Sequence, residues 1–192
     1  MKATLCSILL LLSGGVDYDK LLKDVSFPMT EAIDKAMKAA KDGAVVSSEI
    51  EEEDGGVRYT FDIAQGDKTR EIGLDVKDGK VVEDIVEAGD KSALVKAAKI
   101  TLKQAVEAAL LKVKGTAVAA AFVMKKTKVT AKVTIVADGK ASNVYVKGDG
   151  KVSAVKDAAT DEAEAAEGAE AGEGKEGAEG KEAAEAKEKG VK

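Results

Sequence analysis

The sequence predicts an α+β protein built as two tandem units, each one helix packed on a three- to four-stranded antiparallel meander, with a disordered tail behind them. Three observations carry that expectation. A one-sided helical spacing of apolar residues occurs twice, 73 residues apart. Strict apolar–polar alternation follows each occurrence, in short stretches separated by glycine. From Glu162 to Lys192 no apolar residue larger than alanine remains except Val191, so that stretch has nothing to bury.

In the first unit, residues 28–87, Met29, Ala32, Ile33, Ala36, Met37 and Ala40 recur at i, i+3, i+4, i+7, i+8 and i+11. In the second, residues 100–157, Leu102, Ala105, Val106, Ala109, Leu110 and Val113 repeat that spacing. Each is one apolar stripe along about three helical turns. Pro28 suits a first helical residue, because its missing N–H is not needed there. Thr101 and Gln104 form a capping box at the matching place in the second unit. Both helices are expected to stop at glycine, Gly43 and Gly115.

Strands follow. Val57, Tyr59, Phe61 and Ile63 alternate with Arg58, Thr60, Asp62 and Ala64, and Ile72, Leu74 and Val76 with Glu71, Gly73 and Asp75. In the second unit Val129, Ala131, Val133 and Ile135 alternate with Lys128, Thr130, Lys132 and Thr134. Such alternation means sheets with one buried and one wet face. Hairpin turns are expected at Asp54-Gly55-Gly56, Gly66-Asp67, Asp78-Gly79, Asp138-Gly139 and Asp149-Gly150. The linker 88–99 contains Ala93, Leu94, Val95, Ala97 and Ala98, which suit a short helix or a lead-in to the second unit.

At the start, Lys2 precedes an apolar run ending at Leu12, then Ser13-Gly14-Gly15. The run is too short to span a bilayer of roughly 30 Å. Residues 1–15 therefore read as a secretory signal cleaved before Val16, with 16–27 as a linker. Cys6, the single cysteine, lies inside the run behind Leu5. Lipidation needs small residues before a cysteine at the run's end, so it is not expected. At the other end, residues 158–192 read as an Ala/Glu/Gly/Lys-rich disordered tail. From Asp161 onward 11 acidic and 5 basic residues supply a net −6, against −5 for the whole chain. Its glycines each cost a helix about 1 kcal/mol relative to alanine.

Composition excludes several functions. There is no histidine, so Ser-His-Asp and Cys-His hydrolysis, His-ligated zinc and His acid–base chemistry are absent from these 192 residues. Aromatic residues are only 3% and the net charge is negative, which argues against base stacking and phosphate binding.

The run Pro28-Met29-Thr30-Glu31-Ala32-Ile33-Asp34-Lys35-Ala36-Met37, then Gly43, a charged strand from Val45 to Glu53, Arg58-Tyr59-Thr60-Phe61-Asp62-Ile63, and Ile72-Gly73-Leu74-Asp75-Val76-Lys77-Asp78-Gly79-Lys80-Val81 resembles a PepSY domain. Ile100 to Lys156 resembles a more diverged copy. It lacks the Tyr and Phe of the first but keeps Asp149-Gly150-Lys151-Val152. The resemblance implies a secreted or membrane-facing module of the kind found in propeptides of thermolysin-like metallopeptidases, where it restrains the enzyme. It brings no shared catalytic residues. The sequence has no HExxH, so any inhibition would act on a separate protein.

Glu49, Glu51, Glu52, Glu53 and Asp54 form an acidic strand end. One strand cannot converge carboxylates to the 2.3–2.6 Å that calcium needs, so a charged, solvated edge strand is the expectation. Lys125, Lys126, Lys128 and Lys132 form a basic cluster, suited to an anionic polymer, to the chain's own tail, or simply to a wet face. Ala119, Ala120 and Ala121 suit packing between units. Nothing in the sequence brings two carboxylates into an apolar pocket, and no glycine-rich phosphate loop follows a strand. No catalytic, cofactor-binding or metal-ligating residue is nominated, and a non-enzyme is expected.

The leading expectation is thus an extracytoplasmic, periplasmic or secreted, binding protein of PepSY type that modulates or inhibits a separate peptidase. No nucleic-acid partner and no membrane span after signal cleavage are expected. The alternative is a structural or solubilising envelope protein that binds polymer or cations through its tail and lysines. A third is small-ligand carriage between helix and sheet.

Overall fold

The computed structural model describes residues 17–161 apart from 54, 126 and 127. The expected signal and the tail from 162 onward lie outside the described residues. The elements run α1 (Tyr18–Leu22), α2 (Met29–Ala40), β1 (Ala44–Glu53), β2 (Gly56–Gln65), β3 (Lys68–Asp75), β4 (Val81–Ala88), α3 (Ser92–Ala97), α4 (Leu102–Lys112), β5 (Thr116–Lys125), β6 (Lys128–Ala137), β7 (Lys140–Lys147) and β8 (Val152–Asp157).

The long helices form where the apolar spacing places them. Pro28 caps α2 rather than opening it, its carbonyl accepting from the amides of Glu31 and Ala32. Thr101 Oγ1 accepts from the Gln104 amide at 3.2 Å while Gln104 Oε1 accepts from the Thr101 amide at 2.9 Å, so α4 starts on a complete capping box. α2 buries Met29, Ala32, Ile33, Ala36 and Ala40, and α4 buries Leu102, Ala105, Val106 and Ala109. Below them lie Tyr59, Phe61, Ile63, Ile72 and Leu74 on one side, and Ala131, Val133, Ile135, Val144 and Val146 on the other, in one continuous core. The Tyr59 ring sits between Phe27 and Phe61, with centroids 5.5 and 6.1 Å away, and its hydroxyl donates to the Phe27 carbonyl at 2.7 Å.

The expectation of two separate helix-on-meander units is wrong. All eight strands form one open antiparallel sheet in the order β4-β3-β2-β1-β5-β6-β7-β8. β1 and β5 join the halves through Ser47↔Ala121, Ser48↔Ala120 and Glu49↔Ala119. The physical reason is twofold. A unit of about 60 residues has only a marginal core, and as a separate sheet it would leave the backbone edge of β1 or β5 without partners. Pairing removes both edges and merges the cores, and α2 and α4 touch across the seam. The same finding corrects the reading of the acidic strand as a solvated edge: β1 is central, and Glu49 is buried.

Gly43 and Gly115 occupy matching positions between each long helix and its first strand. Their φ angles are +100° and +149°, and a Cβ would lie 2.6 Å from the Ala64 carbonyl oxygen and 2.3 Å from that of Val136. Gly139, at φ +70°, has open space around it. Gly115→Ala is therefore expected to cost about 3 kcal/mol by adding a backbone clash to conformational strain, and Gly139→Ala about 1 kcal/mol. Urea unfolding checks this, and equal midpoints for the two variants would contradict it.

Candidate functional site

Both outer strands are uncovered among the described residues, and β4 is the more apolar of them. Val81, Val82, Ile85 and Val86 are 47, 57, 36 and 54% exposed. Two of the strand's three acidic residues are engaged inward. Glu83 meets Arg58 at 2.7 Å, and Asp84 takes both Nε and Nη2 of Arg70 at 2.7 Å. What β4 offers outward is a ladder edge and a row of β-branched side chains.

The sheet face opposite α2 and α4 is polar yet largely covered. Register places Ser47, Glu49 and Glu51 of β1 beside Arg58, Thr60 and Asp62 of β2, with Glu71 of β3 directly opposite Asp62. Arg58 is the hub: its guanidinium contacts Glu51, Glu53 and Glu83. Thr60 donates to Glu51, and Ser47 donates to Asp62 at 2.7 Å. Lys91, the residue heading α3, reaches the same Asp62 oxygen at 2.5 Å. Glu71 is buried without a hydrogen bond or ion pair among the described residues. Burial pushes its carboxyl up to about 7, the nearby charges of Glu83, Asp62 and Glu87 adding to the effect and Arg58 opposing it. Sequence alternation marks Asp62 and Glu71 as polar-face positions. The β2–β3 register sets the two side by side on that polar face.

In the second half the same face is closed by a helical turn at 158–161, the first residues of the expected tail. Asp161 is buried there. It accepts from Asn143 Nδ2 at 2.9 Å and from the Tyr145 hydroxyl, and pairs with Lys156 at 2.9 Å. Burial alone would raise its carboxyl, but the bonds from Tyr145, Lys156 and Asn143 hold it down at about 2. Beside this network lies a groove of about 230 Å³ lined by Val123, Thr130, Tyr145, Ser153, Ala154 and Lys156.

The residues singled out from the sequence are only partly brought together. Glu49, Glu51 and Glu53 share the polar face, whereas Glu52 alternates away and pairs with Lys20 at 2.8 Å. Of the basic cluster, Lys128 and Lys132 share the polar side of β6; Lys126 and the side chain of Lys125 lie outside the described residues. Ala119, Ala120 and Ala121 are the β5 residues that pair with β1. On the helical face a groove of about 350 Å³ runs between α2 and the head of α4, lined by Ile33, Met37, Val95, Leu102 and Phe122. Asp34 and Lys103 on its lining pair at 2.5 Å. Among the described residues, no group of three or more Asp, Glu or Cys is placed to hold a metal ion, and no helix is long and apolar enough to cross a membrane.

Residues 28–85, from the α2 cap into β4, match the family model described as peptidase propeptide and YPEB domain, PepSY. That is under a third of the chain. A solved structure, that of a "putative lipoprotein" from Clostridium difficile 630, is similar at 22% identity, covering 69% of this chain and 94% of that one with a TM-score of 0.43. No curated protein matches the chain.

Glu71 links the polar face to pH. An unfolded glutamate releases its proton near 4.5 and the folded one near 7, so the folded state holds the extra proton between those values. Stability from this group is therefore lost as pH rises from about 4.5 to about 7 and is flat above. Glu71→Gln is expected to match the native chain near pH 4 and to exceed it at pH 8, by on the order of 3 kcal/mol at most. Urea unfolding at both pH values checks it, and equal stabilities at pH 8 would refute the account.

Proposed function

We propose that the chain is an extracytoplasmic, non-catalytic binding protein of PepSY type that engages and modulates a separate peptidase. In this reading residues 100–157 are a diverged second copy of the unit. The observation that carries the reading is that the PepSY-matched segment runs into β4, an outer strand with an apolar, uncovered edge. Such an edge takes an extended segment of a partner as an added strand, with main-chain bonds giving affinity and alternate side chains giving selectivity. The second-copy reading draws support from details 72 residues apart. Gly43 and Gly115 share their role, and β1 and β5 carry matching bulges after Val45 and Ala117.

A second reading, an envelope protein that associates with polymer or cations, is favoured by the charge partition. Residues 16–87 hold 19 acidic and 10 basic residues, and residues 88–160 hold 5 acidic and 14 basic. Binding of that kind fades with salt, whereas edge-strand binding does not.

Affinity capture from an extracytoplasmic fraction separates these, using residues 16–192 as bait beside a Val82→Lys/Val86→Lys variant. The native bait is expected to retain a peptidase and lower its activity at physiological salt, and the variant to bind about tenfold more weakly. Retention of no peptidase, or equal retention by both baits, would overturn the peptidase reading.

A further inference from the structure

We propose that the acidic segment 162–192 docks on the lysine-bearing polar face of β5–β8 of its own chain and shields that face from other polyanions. The inference is independent of the peptidase reading.

The first observation is where the segment leaves the fold. Asp161, immediately before it, is buried on this face and held by Asn143, Tyr145 and Lys156 from β7 and β8. The segment therefore starts against the second half of the sheet. The second is charge. Residues 162–192 carry ten carboxylates against five lysines, and the half they emerge on carries 14 lysines against 5 carboxylates. The first half, net acidic, repels them. The third is the surface itself. Register puts Lys128 and Lys132 of β6 and Lys147 of β7 on the same side as Tyr145 and Lys156. Lys128 and Lys147 make no ion pair among the described residues. The groove beside Tyr145 and Lys156 opens on that side.

Reach is ample. Residues 162–170 extended cover roughly 30 Å, whereas four neighbouring strands span about 15 Å. Glu162, Glu164, Glu167 and Glu170 all fall within that reach. Tethering also raises their effective concentration at the face to the millimolar range.

Amine acetylation read residue by residue by mass spectrometry tests this, comparing the intact chain with one ending at Asp161. At low salt Lys128 and Lys147 are expected to react roughly fivefold more slowly in the intact chain. Lys112, on α4 and so on the other face, should react alike in both. The difference should vanish at about 1 M salt, where screening acts within ~3 Å. A full-length Glu162→Gln/Glu164→Gln/Glu167→Gln/Glu170→Gln chain should react like the shortened one, which keeps the test decisive if truncation impairs folding. Equal reactivity of Lys128 and Lys147 in intact and altered chains would overturn the proposal, as would protection shared by Lys112. Protection that grows with protein concentration would assign the face to a second copy and overturn it too.

Discussion

The antiparallel contact between β1 and β5 involves three residue pairs, all of them built from short side chains on the β5 side. Everything else in the architecture depends on it. With that contact made, the strands bearing α2 and those bearing α4 become one sheet, and the two helices close over a single core. Ala119, Ala120 and Ala121 let β5 approach β1 without displacing Ser47, Ser48 or Glu49. The pairing removes two backbone edges from solvent and leaves β4 and β8 as the outer strands. Which strands lie outermost is thus set at the centre of the sheet.

The two faces of that sheet use different physics. Under the helices the interior is apolar, and Tyr59 is the main polar intrusion, its hydroxyl satisfied by the Phe27 carbonyl. The other face buries ionisable groups, which is costly unless each finds a partner. Arg58, Lys91 and Lys156 provide most of those partners, for Glu51, Glu53, Glu83, Asp62 and Asp161. Glu71 has no such partner among the described residues, and burial pushes its carboxyl toward neutrality. Along the sheet the face changes from carboxylate-rich in the first half to lysine-bearing in the second. A molecule polarised in this way orients charged partners before contact.

Much of the local structure was legible in the sequence because its causes are local. The 3.6-residue stripe of α2 and α4, the Thr101–Gln104 capping box, and the alternation through Tyr59, Phe61 and Ile63 follow from backbone geometry and burial on one side. Gly43 and Gly115 were expected as helix stops, but the helices close earlier, on caps at Lys41 and Val113, and each glycine instead leads into a strand where the approach of a neighbouring strand excludes a Cβ. β4 was poorly marked, because its order Val81-Val82-Glu83-Asp84-Ile85-Val86 alternates in pairs and a bulge resets its register.

The sequence by itself determined the helices, most strands, the turns and the PepSY resemblance of the first half, since each rests on contacts a few residues apart. Only the tertiary structure decided that the halves share one sheet, that Glu49 is interior, that Asp62 and Glu71 meet, and that Asp161 seals the second half's polar face. The first two rest on the pairing of β1 with β5, strands far apart in the chain, and the other two on the registers of β2 with β3 and of β7 with β8. Alternation fixes which side a residue faces, but not which strand will lie beside it.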